Sequence, residues 1–86
     1  MKISSYHATV EVKLKKGHVD SEGLTTERAL KEMGYEVDEV STAKVYEIDF
    51  EASSKEEADE KIEEMCRKLL ANPVKDDYEI KVNKAE

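Results

Sequence analysis

The segment Met65-Cys66-Arg67-Lys68-Leu69-Leu70-Ala71-Asn72-Pro73-Val74-Lys75-Asp76-Asp77-Tyr78 holds a helix end, a turn and a strand start in one line, and so fixes where the chain must reverse. Met65, Cys66 and Leu69 continue an apolar stripe begun by Ala58 and Ile62, at the spacing of a helix that buries one face. Arg67 and Lys68 place positive charge near the negative end of that helix, and Asn72-Pro73 stops it, because proline offers no amide donor and disfavours a helical residue before it. Tyr78, Ile80 and Val82 then alternate with Glu79 and Lys81, the period of a strand.

Upstream, Ser54-Lys55-Glu56-Glu57 has the form of a capping box. The serine oxygen is expected to accept from the Glu57 amide while the glutamate reaches back to the serine amide. Helix two is therefore predicted to start there. Tyr6, Ala8, Val10, Val12 and Leu14 alternate with His7, Thr9, Glu11 and Lys13, which predicts a first strand. After the loop Lys15 to Val19, Asp20 is placed to cap helix one. Leu24, Ala29, Leu30 and Met33 would face inward, with Thr26 or Glu27 at the margin, and Gly34 and Tyr35 would close the helix.

Between Val40 and Phe50 no Gly, Pro or Asn interrupts the chain, so one long middle strand is expected. Its two faces read Val40, Thr42, Lys44, Tyr46, Ile48, Phe50 and Ser41, Ala43, Val45, Glu47, Asp49. The second face carries a small apolar centre at Ala43 and Val45, where a solvent face should be polar. A strand of that length spans roughly 36 Å, longer than the ~30 Å diameter of a compact domain of this size. It should overhang, and an overhanging edge calls for a partner.

The expected fold is α+β: a small antiparallel-type sheet in the order strand, helix, strand, helix, strand, with two helices on one face. It resembles a ferredoxin-like half-domain completed by dimerisation. With 86 residues, a single domain over 1–86 is expected, near the size where one core is only marginally sufficient. The net charge of -7 disfavours nucleic acid and anionic lipid as ligands, since a binder must neutralise both. One cysteine permits no intrachain disulfide, no apolar run reaches membrane-spanning length, and the N-terminus lacks the character of a signal peptide. The expected localisation is cytoplasmic.

Several segments resemble the PurS family, the small subunit of formylglycinamide ribonucleotide amidotransferase (phosphoribosylformylglycinamidine synthase) in purine biosynthesis. Val10-x-Val12-x-Leu14-Lys15-x-Gly17 followed by Val19-Asp20-x-x-Gly23 resembles the family's first strand and helix start. Ala29-Leu30-x-x-Met33-Gly34-Tyr35 resembles the end of its first helix, and the Met65 to Tyr78 segment resembles its tail. The resemblance implies a protein that joins a large ATP-using synthetase subunit to a glutaminase subunit. That complex converts formylglycinamide ribonucleotide, glutamine and ATP to formylglycinamidine ribonucleotide, glutamate, ADP and phosphate.

By the same resemblance, a dimer of the small subunit bridges the two and takes the place of an N-terminal domain of single-chain enzymes. ATP and glutamine are then used by the partners, and this chain binds no cofactor. Two departures stand out. The family's Val-Arg-x-Gly-Lys reads Val40-Ser41-Thr42-Ala43-Lys44, and its Asp-Pro reads Asp20-Ser21.

The residues themselves point away from catalysis. Cys66 lies deep in helix two on the apolar stripe, where a nucleophilic thiolate would be disfavoured. His7 and His18 have no metal-ligand partner at a recognisable spacing, and Gly17 and Gly23 belong to no phosphate loop. The glutamates of helix two stand beside lysines, as on a solvated surface. The candidate site is therefore a partner contact. Lys44 lacks a core role on its strand, Ala43 and Val45 flank it, and the turn with Leu70, Asn72 and Pro73 presents backbone outward. A homodimer or tetramer, the synthetase and the glutaminase are the expected partners. The competing reading is a free-standing small-molecule-binding regulatory domain, which rests on fold analogy alone.

Overall fold

The computed structural model describes residues 2–85. The elements run β1 (Ser4–Leu14), α1 (Ser21–Glu32), β2 (Lys44–Ala52), α2 (Lys55–Met65), a π-helical turn (Cys66–Leu70) and β3 (Asp76–Lys84). The three strands form one antiparallel sheet in the order β2-β1-β3. The first strand is thus central, and the outer edges of β2 and β3 have no partner among the described residues. At one end of the sheet the Ala85 amide donates to the Ser5 carbonyl, so the two ends of the described chain lie side by side.

Alternation sets the two faces. Tyr6, Ala8, Val10 and Val12 are buried, and Tyr46, Ile48, Phe50, Tyr78, Ile80 and Val82 pack with them beneath Ala58, Ile62 and Cys66 of α2. The opposite face bears His7, Thr9, Glu11, Glu47, Asp49, Glu79 and Lys81 and, among the described residues, has no helix over it. α2 starts as expected: the Glu57 amide donates to Ser54 Oγ at 3.1 Å. The returning glutamate, however, accepts from the Ser53 amide at 2.8 Å rather than from that of Ser54.

The middle strand is shorter than expected. β2 begins at Lys44 and not at Val40, and the eleven-residue strand is β1. Residues 40–42 are taken by α1 instead. Asp20 accepts from the Thr42 amide at 2.6 Å and from its hydroxyl at 3.0 Å, and Glu27 accepts from the Val40 amide at 3.4 Å. A backbone whose donors already have partners outside the sheet cannot extend a ladder. The register agrees, since Val12↔Lys44 is the last pair between β1 and β2.

The expected stripe of α2 is also corrected at its end. Ala58, Ile62 and Cys66 are fully buried, but Leu69 is 83% exposed and Leu70 is the residue that packs on the core. The Ala71 amide bonds to the Cys66 carbonyl, a five-residue step. That wider turn moves the inward position on by one residue.

Two helices on one face are not what forms. α2 lies on the sheet, whereas α1 stands beyond the Lys13–Leu14 end with Leu24, Met33 and Tyr35 exposed and, of its expected inward face, Leu30 and the marginal Glu27 half-buried. Its own ends are well made. Asp20 accepts from the Gly23 amide at 2.9 Å, and Gly34 at φ 97° closes the helix with paired bonds from Gly34 to Lys31 and from Tyr35 to Leu30, the glycine-centred stop of the Schellman motif. The result is elongated, 58 × 29 × 14 Å. Its radius of gyration is 17.0 Å, against about 12 Å for a compact chain of this length.

Candidate partner-contact site

The turn after α2 is built by one asparagine. Asn72 Oδ1 accepts from the Val74 amide at 2.8 Å, and its carbonyl accepts from the Lys75 and Asp76 amides. Its own amide donates to Asp76 Oδ2 at 2.9 Å. Such local bonds let an asparagine hold a turn that a following proline cannot leave as helix. The Lys75 carbonyl accepts from the Lys15 amide at 2.7 Å, which ties this turn to the loop after β1. A second tie joins Lys15 Nζ to Asp77 at 2.7 Å.

Beside the turn is a surface cavity of about 380 Å³. Its floor is Val12, Leu14 and Leu70, and its rim carries Lys13, Thr42, Ala43, Lys44, Lys75, Asp76 and Glu22 of α1. Three of the six expected contact residues, Ala43, Lys44 and Leu70, therefore line one cavity. Asn72 and Pro73 are exposed on the adjoining turn. Val45 is not with them: it is 54% exposed on the helix-free face, in a cleft with Thr9, Glu11, Glu79 and Lys81. The Lys44 ammonium lies 5.9 Å from the centre of the Tyr46 ring, an exposed cation–π contact that orients it along the strand.

The position of α1 is set by a clasp around Gly23. A side-chain carbon there would meet the Val40 carbonyl oxygen at 2.5 Å, so only glycine permits this approach. The Thr42 amide, then the Gly23 amide, holds the Asp20 carboxyl below the usual carboxylate range. Lys31, with the Val40 amide, does the same for Glu27. The anion-binding potential of this helix start is thereby spent on the chain's own aspartate.

No catalytic constellation accompanies the cavity among the described residues. Cys66 is fully buried, and burial, reinforced by Glu63, pushes its thiol up and away from reactivity. The acidic surface of α2 and its π turn is a row of ion pairs: Lys55 with Asp59, Lys61 with Glu57, Arg67 with Glu63 and Lys68 with Glu64. Glu63 also accepts from the Tyr78 hydroxyl, which raises the tyrosine's pKa. One cluster escaped the sequence reading. His7 Nδ1 lies 2.7 Å from Asp49 across the β1–β2 ladder and Nε2 lies 3.4 Å from Glu47, which together raise the histidine's pKa. Its partners are 42 and 40 residues away, so only the strand register reveals them. No group of three or more His, Cys, Asp or Glu side chains among the described residues is arranged to hold a metal ion. Nor is any helix long and apolar enough to cross a membrane.

Comparison with known proteins places this architecture. The family model for PurS, phosphoribosylformylglycinamidine (FGAM) synthase, matches residues 7–84. The phosphoribosylformylglycinamidine synthase subunit PurS of Methanocaldococcus jannaschii is 54% identical over 82 residues, covering 94% of this chain and 99% of that protein. The crystal structure of M. jannaschii PurS, one of the subunits of formylglycinamide ribonucleotide amidotransferase in the purine biosynthetic pathway, superposes with a TM-score of 0.82 at 52% identity and the same coverage. A chain in the structure of PurLQS from Thermotoga maritima superposes with a TM-score of 0.82 at 31% identity, covering 96% of this chain and all of that one. This chain belongs to the PurS family.

Proposed function

We propose that this chain is the non-catalytic bridging subunit of a glutamine- and ATP-dependent phosphoribosylformylglycinamidine synthase, acting in the cytoplasm in purine biosynthesis. The observation that carries this reading is the full-length match to a PurS chain seen within PurLQS. In this role the chain joins a synthetase subunit to a glutaminase subunit and itself binds neither ATP nor glutamine. Holding the two active sites in register keeps ammonia released at one on course to the other.

The chain works as a homodimer or tetramer. The free edge of β2, the elongated shape and the exposed apolar residues of α1 support self-association, because an unpaired edge and an unpartnered helix face both gain from being covered. Partner contact falls to Lys44, Ala43, Val45, Leu70, Asn72 and Pro73. Support comes from the shared cavity of Ala43, Lys44 and Leu70 and from the outward turn.

Reconstitution tests the reading. Purified synthetase and glutaminase should form formylglycinamidine ribonucleotide from glutamine only when this chain is added, with all three eluting together. Equal glutamine-dependent activity without it would overturn the proposal, as would a chain that binds a small metabolite and neither subunit. Sedimentation of a monomer at micromolar concentration would remove the homo-oligomer.

A further inference from the structure

The two open edges of the sheet differ in what they offer a second copy of the chain. In an antiparallel ladder every other residue of a strand bonds to the neighbour on one side, and the residues between turn their amides and carbonyls the other way. The bonds from Lys15 to Lys75 and from Ala85 to Ser5 turn the odd-numbered residues of β3 toward β1. Tyr78, Ile80 and Val82 therefore point their backbone groups out of the sheet. Their side chains are half-buried on the α2 side, and Ile80 and Val82 still line a surface cavity of about 280 Å³ between α2 and this edge.

An antiparallel copy of β3 aligned about Ile80 answers these groups in turn. Ile80 meets Ile80 of the second copy and Tyr78 meets its Val82, both in bond-forming positions. On the helix-free face Glu79 meets Lys81 of the second copy, and by symmetry Lys81 meets its Glu79. At the two ends Asp76 meets Lys84. Alignment about Glu79 or Lys81 instead would set that residue against itself, and alignment about Tyr78 would set Asp77 against Glu79. Within one chain Glu79 stands directly opposite Glu11 on β1, a like-charge pair that a neighbouring lysine relieves.

The edge of β2 lacks this match to itself. Its helix-free face carries Val45, Glu47, Asp49 and Glu51 and no cation, so alignment about Glu47, Ile48 or Asp49 sets acid against acid. Charge on an edge strand ordinarily discourages pairing; β3 is the edge whose charges answer one another. Resting on the self-association in the reading above, we propose that two copies join antiparallel along β3 about Ile80. The result is one continuous sheet in the order β2-β1-β3-β3-β1-β2 with both α2 helices on the same face.

Sedimentation of the chain alone over a series of concentrations reads this interface. Glu79→Lys sets lysine against lysine twice in each pair of copies, and Lys81→Glu sets glutamate against glutamate. Each should weaken association about 10- to 100-fold, the effect of reversing two cross-strand pairs. The chain carrying both changes should associate as the parent does, because the pairs return with their signs exchanged. So should an equimolar mixture of the two single variants, which complement each other. Glu79→Lys also removes the like-charge contact with Glu11, so its loss of association does not come from a weakened fold. In the associated parent the Tyr78, Ile80 and Val82 amides should exchange slowly with deuterium, a readout that needs no variant.

Single variants that associate as the parent does would overturn the inference, as would a double variant no stronger than the single ones. Fast exchange at those three amides in the associated parent would do the same. A parent that sediments as a monomer at micromolar concentration would instead overturn the self-association itself.

Discussion

Leucines 69 and 70 are neighbours of the same type, and the π-helical turn assigns them opposite environments. Continuation of the α-helix would put Leu69 on the core, three residues past Cys66; the five-residue step from Cys66 to Ala71 puts Leu70 there instead. Full burial of a leucine side chain stabilises by roughly 1.5–3 kcal/mol. Leu69 keeps 83% of its surface exposed, so less than a fifth of that value is at stake, and Leu69→Ala should cost about 0.5 kcal/mol or less. Leu70 packs on the main core, and Leu70→Ala should cost about 1–3 kcal/mol once the space it leaves is included.

Urea unfolding followed by circular dichroism measures both, repeated at two protein concentrations. A loss at Leu69 that grows with concentration reports an interface between copies. The concentration-independent part reports packing within the chain. If that part is as large for Leu69→Ala as for Leu70→Ala, the π turn is wrong and the helix ends in regular α phase.

Three further outcomes follow from the same geometry. Gly23→Ala should be destabilising despite the roughly 1 kcal/mol that alanine gains in a helix, because the added carbon meets the Val40 carbonyl at 2.5 Å; faster hydrogen exchange at the Thr42 amide would locate the damage, and a net gain in melting temperature would refute the clasp. Cys66→Ser should leave glutamine-dependent activity of the assembled synthase intact while lowering stability by about 1–3 kcal/mol, since a hydroxyl replaces a fully buried thiol; loss of activity in a folded variant would restore a catalytic role. His7 has a raised pKa through Asp49 and then Glu47, so its contribution is fully present below about pH 6.5 and is lost as pH rises through the raised value; His7→Gln should flatten the pH dependence of stability in that window, and an unchanged profile would refute the ion pair.

Sequence periodicity read the sheet well where one face alone was buried. Tyr6 through Leu14 and Tyr78 through Val82 alternate because α2 covers one side only, and the caps at Asp20 and Ser54 are written locally. What escaped the pattern was decided by contacts between distant segments. Residues 40–43 read as strand until Asp20, some twenty residues away, takes the Thr42 amide and hydroxyl. Helix one reads as amphipathic, yet periodicity carries no information on whether the covering surface belongs to the same chain. Similarly, Leu69 and Leu70 are indistinguishable until the hydrogen-bond step between them is known. At the candidate site, Lys44 and Leu70 were legible as residues without a settled core role, whereas Lys13 and Lys75 joined them only through the register that brings Leu14 beside Asp76.

The bond between the Ala85 amide and the Ser5 carbonyl has a practical reach beyond closing the sheet. It places Ser5 and Ala85 at one tip of the β1–β3 ladder, while the cavity with Lys44 lies at the other, near the Leu14↔Asp76 pair. Eight residues of strand, about 26 Å, separate the two. A fluorophore attached beside Ser5 or Ala85 would therefore report on events at the cavity from a distance, without crowding its Lys44 rim.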